Sequence, residues 1–361
     1  MAFFDRFATA RLVLPDGLKL DIASTRRESY ARPAALPDVA PASLKEDLYR
    51  RDFTINAMAI QLNPAGFGQL FDPYGGQRDL KAGTIRVLHD GSFIDDPTRI
   101  FRAIRFAERF GFHLEPATGR LLRQAAATNL VTNLSGPRLC NEFFLLMNER
   151  NPGRTAGSLA RLNLLRFLHP RLRYGKPARR LVTVLPRALA WWKKQCPDAP
   201  VDRSLAYLMA VLSDNGPDVI RSVIQRLQLS KVQSRAVEWA GQRTSRTARE
   251  LSRLVDLQPA RVYRLLMAMP DEALVLALGK GLATKKEDAV RRLRRRLSRF
   301  VKCDRYAALL VRGDDLKQLG LTPGPRYKKI LDRLLDARIN GEVKTEAQER
   351  DMARRMAMVP R

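Results

Sequence analysis

The chain has 361 residues, and its 65 lysine and arginine residues against 37 aspartate and glutamate residues give a formal net charge of +28. The excess is uneven, since residues 1–140 carry a net charge of +4 and residues 141–361 a net charge of +24. A field of this sign attracts polyanions, so nucleic acid or an anionic membrane surface is the expected partner.

Several classes of protein are disfavoured at once. No apolar run approaches the roughly 20 residues that span a bilayer, and the first ten residues lack the layout of a signal peptide. Three cysteines and three histidines show no metal-ligand spacing, which argues against a zinc site and fits a reducing compartment. We therefore expect a cytoplasmic protein that binds RNA or DNA and no membrane.

The first 90 residues contain short stretches typical of strands. The run "ARLVLPDGLKLDIAST" predicts a hairpin around a Pro-Asp-Gly turn. Leu18, Leu20 and Ile22 should lie on its inner face and Asp21 on the opposite face. The prolines at positions 33, 37 and 41 then predict a loop.

Two further segments complete this part of the chain. Residues 43–60, "SLKEDLYRRDFTINAMAI", predict a short helix followed by a β-like apolar segment. Residues 68–88, "GQLFDPYGGQRDLKAGTIRVL", predict a second strand pair connected through Gly75 and Gly76. No helix start and lysine follow these glycines at the spacing of a P-loop, so they are interpreted as a flexible hairpin.

Residues 94–110, "IDDPTRIFRAIRFAERF", predict a helix with Asp96 as its N-cap and Pro97 at its first position. One stripe of this helix is apolar and another contains only arginine. The apolar stripe comprises Ile100, Ala103, Ile104, Ala107 and Phe110, and the basic stripe comprises Arg99, Arg102, Arg105 and Arg109. The basic stripe is either a solvated face or a set of guanidinium forks that bind phosphates and base edges.

From residue 97 onward the pattern is almost entirely helical. Residues 285–300, "KKEDAVRRLRRRLSRF", predict a helix with one apolar face and arginine over nearly all the rest, which suits RNA contact and a solvated surface equally. The fold class is therefore α+β, with a small β-containing head before a long, basic, all-helical part.

The run "EDLYRRDFTINAMAI" closely resembles the RRDFTINA signature of class II tRNA nucleotidyltransferases, the CCA-adding enzymes, and their bacterial poly(A) polymerase relatives. Three further segments resemble this family's motifs in the family's order: "LFDPYGGQRDL", "FIDDPTRIFRAIRF" and "LSGPRLCNEF". "GDDLKQLGLTPGP" near the C-terminus resembles tail segments of some members. The resemblance thus touches most of the chain.

The resemblance implies an organisation in three parts. Residues 1–90 would be a truncated, polymerase-β-like nucleotidyltransferase head, and residues 91–150 a helical neck for nucleotide bases and RNA. Residues 151–361 would form a basic helical body and tail that binds tRNA. The implied reaction adds CMP and AMP from CTP and ATP to the 3′ end of tRNA. The motifs do not choose between this reaction and poly(A) addition to other RNA ends.

The resemblance also implies roles for single residues. Asp96 and Arg99 would read the base, with Asp95 beside them, because a carboxylate and a guanidinium match the donor and acceptor that cytosine and adenine share. Guanine and uracil would leave these groups unsatisfied, at about 1–3 kcal/mol each. The remaining implied nucleotide-binding residues are Arg50, Arg51 and Asp52 near the ribose and triphosphate, Asn56 at the sugar, and Arg102 and Arg105 facing the triphosphate or supporting the pocket.

Two alternatives concern structural roles. Without the resemblance, Arg50 and Asp52 would be interpreted as a structural ion pair. Arg138 and Glu142, which lie four residues apart on a predicted helix, are expected to brace the neck rather than to touch substrate.

Nucleotidyl transfer of this kind needs two metal ions, expected to be Mg²⁺. The family holds them with an Asp-x-Asp pair, and no Asp-x-Asp occurs among the 361 residues. Asp21 is a candidate third carboxylate. Two interpretations stay open: part of a longer enzyme, or a non-catalytic RNA-binding member of the family, completed by another polypeptide.

Overall fold

The computed structural model describes residues 2–4, 9–32, 34–35, 37–284 and 286–358. The chain divides into two compact units. Unit 1 comprises Met1–Arg171 with Gln225–Leu229, and unit 2 comprises Leu172–Ile224 with Ser230–Arg361. The division into three parts at residues 90 and 150 stays a prediction.

Unit 1 contains the described strands, which form four small sheets. The strands are β1 (Ala2–Phe4), β2 (Thr9–Val13), β3 (Lys19–Ala23), β4 (Arg26–Ser29), β5 (Asp38–Pro41), β6 (Ala59–Ile60), β7 (Leu70–Phe71), β8 (Thr84–Ile85) and β9 (His113–Leu114). β1, β2 and β3 form an antiparallel sheet, β4 pairs with β5 and β6 with β7, and β8 pairs with β9 in parallel.

The helices follow in chain order, with those beyond Phe110 separated almost entirely by loops. They are α1 (Leu44–Tyr49), α2 (Gly76–Lys81), α3 (Ser92–Asp95), α4 (Thr98–Phe110), α5 (Pro116–Ala127), α6 (Gly136–Met147), α7 (Pro152–Arg161), α8 (Lys176–Gln195), α9 (Arg203–Leu212), α10 (Pro217–Leu227), α11 (Lys231–Val237), α12 (Gln242–Arg253), α13 (Pro259–Met267), α14 (Asp271–Ala283), α15 (Glu287–Lys302), α16 (Gly313–Gln318), α17 (Pro325–Asn340) and α18 (Glu346–Met358). Short 3₁₀ turns lie at Thr54–Asn56, Pro64–Gly66, Leu130–Asn133, Leu164–Phe167 and Asp304–Tyr306. The α+β architecture predicted from the sequence is confirmed.

The predicted hairpin is confirmed as β2 and β3, with Val13 opposite Lys19. Its predicted inner face is wrong: Leu18, Leu20 and Ile22 are 54%, 42% and 54% exposed. Alternation places these side chains on one face, but no other described element covers that face. Burial needs such a second layer.

The proline-containing stretch is not entirely a loop. Its last four residues form β5, which pairs with β4. The proline at position 33 lies outside the described residues.

The predicted strand pair around Gly75 and Gly76 is also wrong. β7 pairs with β6, β8 pairs with β9, and α2 lies between them. The Asp72 carboxylate accepts hydrogen bonds from the backbone N–H groups of Gly76 and Gln77 at 2.7 and 2.9 Å. These bonds satisfy free N–H groups at the start of α2. Gly75, the N-cap of α2, has a φ of +73°, which favours glycine.

The predicted helix is confirmed as α4, but it begins one residue later than predicted, with Pro97 as its N-cap and Thr98 as its first residue. Asp96 precedes this cap, and its Oδ1 accepts from Thr98 N at 3.1 Å. Most of the apolar stripe of α4 is buried, with Ile100 and Ala103 fully inaccessible. Phe110 is an exception to that stripe, since it is 49% exposed and stacks on Phe106 with ring centroids 5.8 Å apart.

In unit 2, α14 lies at the centre and packs against α8, α9, α12 and α15. Its sequence, "DEALVLALGKGLA", is apolar on nearly every side, as expected of a helix surrounded by others. Two glycines permit the close approach. A Cβ at Gly279 would lie 2.9 Å from Leu181 Cδ1, and one at Gly281 would lie 2.5 Å from Leu293 Cδ2.

A second cluster packs the C-terminal helices around Leu316, Ile330 and Leu334. Among the described residues, no helix is both long and apolar enough to cross a membrane.

Candidate functional site

A polar cavity of about 380 Å³ lies within unit 1, and we call it the head cavity. Its walls come from the segment around β4, from the end of α1 with the 3₁₀ turn after it, and from the start of α4. The lining residues are Glu28, Tyr30, Arg50, Arg51, Asp52, Asn56, Asp96, Arg99 and Arg102. Seven of these nine are nucleotide-binding residues predicted from the sequence, and they come from two motifs that are far apart in the chain.

Asp96 uses its two carboxylate oxygens differently. Oδ1 accepts from Thr98 N at 3.1 Å, Thr98 Oγ1 at 2.8 Å and Arg138 Nη2 at 2.9 Å. Oδ2 has no hydrogen-bond partner in the described part of the chain. One oxygen therefore fixes the start of α4, and the other remains free to accept a hydrogen bond from a ligand.

Arg99 is held rigidly although it lines a cavity. Its side chain donates from Nη1 to Ser92 Oγ at 2.8 Å and from Nη2 to the carbonyl oxygen of Arg50 at 2.6 Å. The residue is only 5% exposed. A guanidinium has five N–H donors, so two bonds fix its plane and leave others for a ligand.

Arg50 is held by two carboxylates at the cavity wall. It donates to Glu28 Oε1 at 2.8 Å and to Asp47 Oδ1 at 2.7 Å, while Arg51 donates to Asp47 Oδ2 at 3.1 Å. Burial opposes ionisation of Asp47, but the hydrogen bond from Arg50 is among the interactions that hold the pKa of Asp47 below its usual value. The alternative of an Arg50–Asp52 ion pair is wrong, because Arg50 pairs with Asp47 and Glu28 instead.

Asp52 pairs with Arg102, which lies 50 residues away. Its Oδ2 accepts from Arg102 Nε at 2.7 Å and lies 2.5 Å from Nη2. Its Oδ1 accepts from Phe53 N at 3.0 Å and Asn56 Nδ2 at 2.9 Å. Both oxygens are thus occupied, so a ribose hydroxyl would have to compete with Arg102 or Asn56 for this carboxylate.

Glu28 and Tyr30 belong to the cavity but were missed from the sequence. Tyr30 Oη donates to Glu28 Oε2 at 3.0 Å, and burial together with the Glu28 charge raises the pKa of Tyr30 far above its usual value. Tyr30 therefore remains a neutral hydrogen-bond donor. The only signal was a glutamate between arginines and a tyrosine in "RRESY", which does not specify a partner such as Arg50.

Two other predicted residues lie outside the head cavity. Asp95 lines an adjacent cavity of about 240 Å³ with Tyr49 and His89. Arg105 is 7% exposed and does not line either cavity. Of its two predicted positions, facing the triphosphate or supporting the pocket, the geometry is that of a supporting residue.

Comparison with known proteins places this geometry in a family. Residues 2–86 match the poly A polymerase head domain, and residues 111–175 match the probable RNA and SrmB-binding site of polymerase A. An A-adding tRNA nucleotidyltransferase of Geobacter sulfurreducens is 39% identical over 356 residues, which is 98% of this chain. The chain spans about 40% of the length of that relative.

Solved structures agree over nearly the whole chain. A CCA-adding enzyme in complex with CTP has a TM-score of 0.80 and 32% identity, covering 99% of this chain and 81% of the other. The Thermotoga maritima CCA-adding enzyme complexed with tRNA has a TM-score of 0.76 and 31% identity, covering 98% and 80%. The chain belongs to the class II tRNA nucleotidyltransferase and bacterial poly(A) polymerase family.

The described residues of this family member do not fit a two-metal centre. Asp21, the candidate third carboxylate, lies on exposed β3 and accepts from Arg11 Nε at 2.6 Å. The hydrogen bond from Arg11 lowers the pKa of Asp21. In the part of the chain that the structure describes, no group of three or more histidine, cysteine or acidic side chains is arranged to hold a metal ion.

The Arg-x-x-x-Glu segment of this chain lies on α6 and contacts α4 directly. Arg138 donates to Asp96 Oδ1 and, through Nη1, to the carbonyl oxygen of Ala34 at 2.9 Å. Four residues on, Glu142 Oε2 lies 3.8 Å from Arg105 Nη1. Arg138 is thus a positioning residue for Asp96, and Glu142 is the counterion of a buried arginine.

The Arg105–Glu142 pair is poorly solvated. Burial lowers the pKa of Arg105 and raises the pKa of Glu142. Arg105 Nε and Glu142 Oε2 are buried without a hydrogen-bond partner. Removing one partner of such a pair leaves a bare buried charge, whereas replacing both by apolar side chains is often harmless.

We therefore expect Arg105→Met and Glu142→Leu each to lower the free energy of unfolding by about 3–5 kcal/mol, and the double variant to recover most of that loss. Urea unfolding followed by circular dichroism measures this. The control is Arg355→Met, which removes an ion pair whose side chains are 73% and 60% exposed. It should cost under about 1 kcal/mol. A double variant as unstable as the sum of the two single variants would show that neither buried charge depends on the other.

Proposed function

We propose that this chain is the base-selecting and RNA-binding part of an RNA nucleotidyltransferase of the CCA-adding type. The enzyme adds CMP and AMP from CTP and ATP to the 3′ end of tRNA in the cytoplasm. One observation carries the proposal: the RRDFTINA segment and the start of α4 line a single cavity, with a free oxygen of Asp96 and a fixed Arg99 on its wall.

The chemistry of base selection follows from these two groups. Cytosine and adenine each present an exocyclic amine beside a ring-nitrogen acceptor. Asp96 Oδ2 accepts from the amine, and an N–H of Arg99 donates to the ring nitrogen. Guanine and uracil present a carbonyl and a ring N–H there, so an acceptor would face an acceptor and a donor would face a donor.

Arg50, Arg51 and Arg102 line the same cavity, and the guanidinium N–H groups that their carboxylate partners leave open suit the triphosphate. Asn56 is oriented by Asp52 and leaves its carbonyl oxygen for the sugar. The similarity to an A-adding enzyme over 98% of this chain supports ATP as a substrate, and the CCA-adding structure that holds CTP supports CTP.

The first test of this proposal is Asp96→Asn. Asparagine keeps a carbonyl oxygen for Thr98 and Arg138 but places an amide donor where Oδ2 accepted. We expect an unchanged melting temperature and a preference for CTP over UTP that falls by about tenfold, the equivalent of one mismatched hydrogen bond. Competition binding of the four nucleoside triphosphates to the 361-residue chain measures it.

The control variant is Asp90→Asn, which removes the same charge from an exposed residue six positions earlier. It should leave the order of nucleotide affinities unchanged. Wild-type selectivity in Asp96→Asn would end the assignment of Asp96 as a base reader.

A second test concerns catalysis. Because the metal-binding carboxylate pair is absent from the sequence, we expect the 361-residue chain by itself not to incorporate CMP or AMP into tRNA that lacks its CCA end, even with Mg²⁺ present. Incorporation of labelled nucleotide above that of a protein-free reaction would show this expectation to be wrong.

A third test concerns RNA. Residues 141–361 carry a net charge of +24, so binding to tRNA should release many counterions. We expect micromolar or tighter binding at low salt and a loss of roughly a thousandfold in affinity between 50 and 200 mM salt. Filter binding against salt concentration measures it, with an unstructured RNA of equal length as comparison. An affinity that is flat with salt excludes electrostatic attraction as its source, and equal affinities for both RNAs exclude selectivity for tRNA.

A further inference from the structure

Unit 2 contains a cavity of about 530 Å³ that the base-selecting site does not involve, and we call it the body cavity. It lies among the start of α8, one face of α12, the end of α14 and the start of α15. Six of its lining residues are cationic, and one, Asp214, is acidic. The cations are Lys176, Arg180, Arg249, Arg253, Lys280 and Lys286.

None of these six cations forms an ion pair with a carboxylate among the described residues. Three arginines on neighbouring helix faces do have internal acceptors for their guanidinium groups. Arg292 donates to the carbonyl oxygen of Ser252 at 2.9 Å, Arg296 to that of Leu251 at 2.6 Å, and Arg261 to the Glu250 carboxylate at 2.7 Å. The body cavity is therefore lined by six cations whose charge no carboxylate of the described residues balances in an ion pair.

The acidic residue of the cavity, Asp214, binds backbone N–H groups at the start of α8. Asp214 Oδ2 accepts from the backbone N–H groups of Gly175 at 3.1 Å and Ala178 at 3.2 Å, so it caps α8. Lys280 lies deeper than the other cations and donates to Ser245 Oγ at 2.8 Å. Burial lowers the pKa of Lys280 to about 8. A buried ammonium with one neutral partner is stabilised by any anion that enters.

The rest of the lining is mixed. Its polar members are Ser213, Ser245, Ser252 and Thr284, and its apolar part includes Leu181, Ala248, Ala283 and Ala289. The volume lies within the roughly 300–1,000 Å³ range of small-molecule sites. A half-open cavity with a partly apolar wall and a cationic rim suits an anion that also carries an apolar or flat part.

We propose that the body cavity binds a phosphorylated small molecule of nucleotide size. Its phosphate groups would lie between the rim arginines and Lys280, and its less polar part would lie against the apolar wall. The proposal does not depend on the function assigned to the head cavity, because all the residues that carry it belong to unit 2.

Chemical modification of Lys280 tests the site directly. An amine whose pKa is near 8 is more often unprotonated at neutral pH than an ordinary lysine, so it reacts early with a limiting acylating reagent. Mass spectrometry then quantifies acylation of Lys280 with ATP, tripolyphosphate, adenosine or tRNA present. We expect ATP and tripolyphosphate to slow the modification several-fold and adenosine to leave it unchanged.

Variants on one helix provide the matched control. Arg249→Ala with Arg253→Ala should abolish the protection of Lys280 by ATP. Arg246→Ala removes an exposed arginine from the same helix, outside the cavity, and should preserve protection. Absence of protection by ATP would overturn the proposal, and so would an equal loss of protection in the double variant and in Arg246→Ala. Protection by tRNA but not by ATP would also overturn it, because the cavity would then bind phosphates of the RNA backbone.

The pH dependence of ATP binding gives an independent readout. Lys280 loses its proton as the pH rises through about 8. Calorimetry measures the ATP affinity that is lost in the Arg249→Ala, Arg253→Ala variant. This affinity should fall several-fold between about pH 7 and about pH 9.5, although ATP itself becomes no less anionic over that range. The charged groups that share the cavity with Lys280 are the five other named cations and Asp214. Lys280→Arg keeps the charge and should bind without this fall. A fall of equal size in Lys280→Arg would contradict the proposal.

Discussion

The arginine stripe of α4 is the constraint on which unit 1 depends, because a guanidinium can be buried only if other segments supply acceptors for it. Arg99 is bound by Ser92 and the carbonyl oxygen of Arg50, and Arg102 by Asp52. Arg105 and Arg109 are paired with Glu142 and Glu149. The arginines on successive turns of α4 thus bind three parts of unit 1. These parts are the segment just before α4, the RRDFTINA segment, and α6 together with Glu149 just after it.

This arrangement explains how a cavity lined by so many charges keeps its shape. Asp96 is held by Thr98 at the start of α4 and by Arg138, and Arg99 is held from two sides. A ligand that meets such groups pays little for ordering them, and preorganised groups discriminate more sharply than mobile ones. The contact of Arg138 with Asp96 also holds the Arg-x-x-x-Glu segment beside the head cavity, although neither Arg138 nor Glu142 lines it.

What the sequence predicted well is what local rules determine. The place of α4 to within one residue and its buried stripe follow from residues within a few positions of one another, and so does the turn of the β2–β3 hairpin. The errors concern partners that lie far apart. Sequence proximity suggested an Arg50–Asp52 pair, whereas Asp52 is bound by Arg102, fifty residues away. Alternation placed Leu20 and Ile22 on one face but could not indicate whether anything covers it.

Arginine therefore has two physical roles in this chain. Which role a given arginine has depends on whether the protein supplies a hydrogen-bond acceptor or carboxylate for it. On α4 the four guanidiniums all have internal partners, which are carboxylates for Arg102, Arg105 and Arg109 and uncharged oxygens for Arg99. Their remaining N–H groups therefore act as directed donors. In residues 141–361 the basic side chains outnumber the acidic ones by 24, so many cannot be neutralised internally and must take their counterions from solution. Charges of the second kind attract any polyanion and are screened by salt, which gives affinity without discrimination. In the proposed function, selection among nucleotides therefore comes from the oriented minority, because only groups fixed in position can distinguish a donor from an acceptor on a base edge.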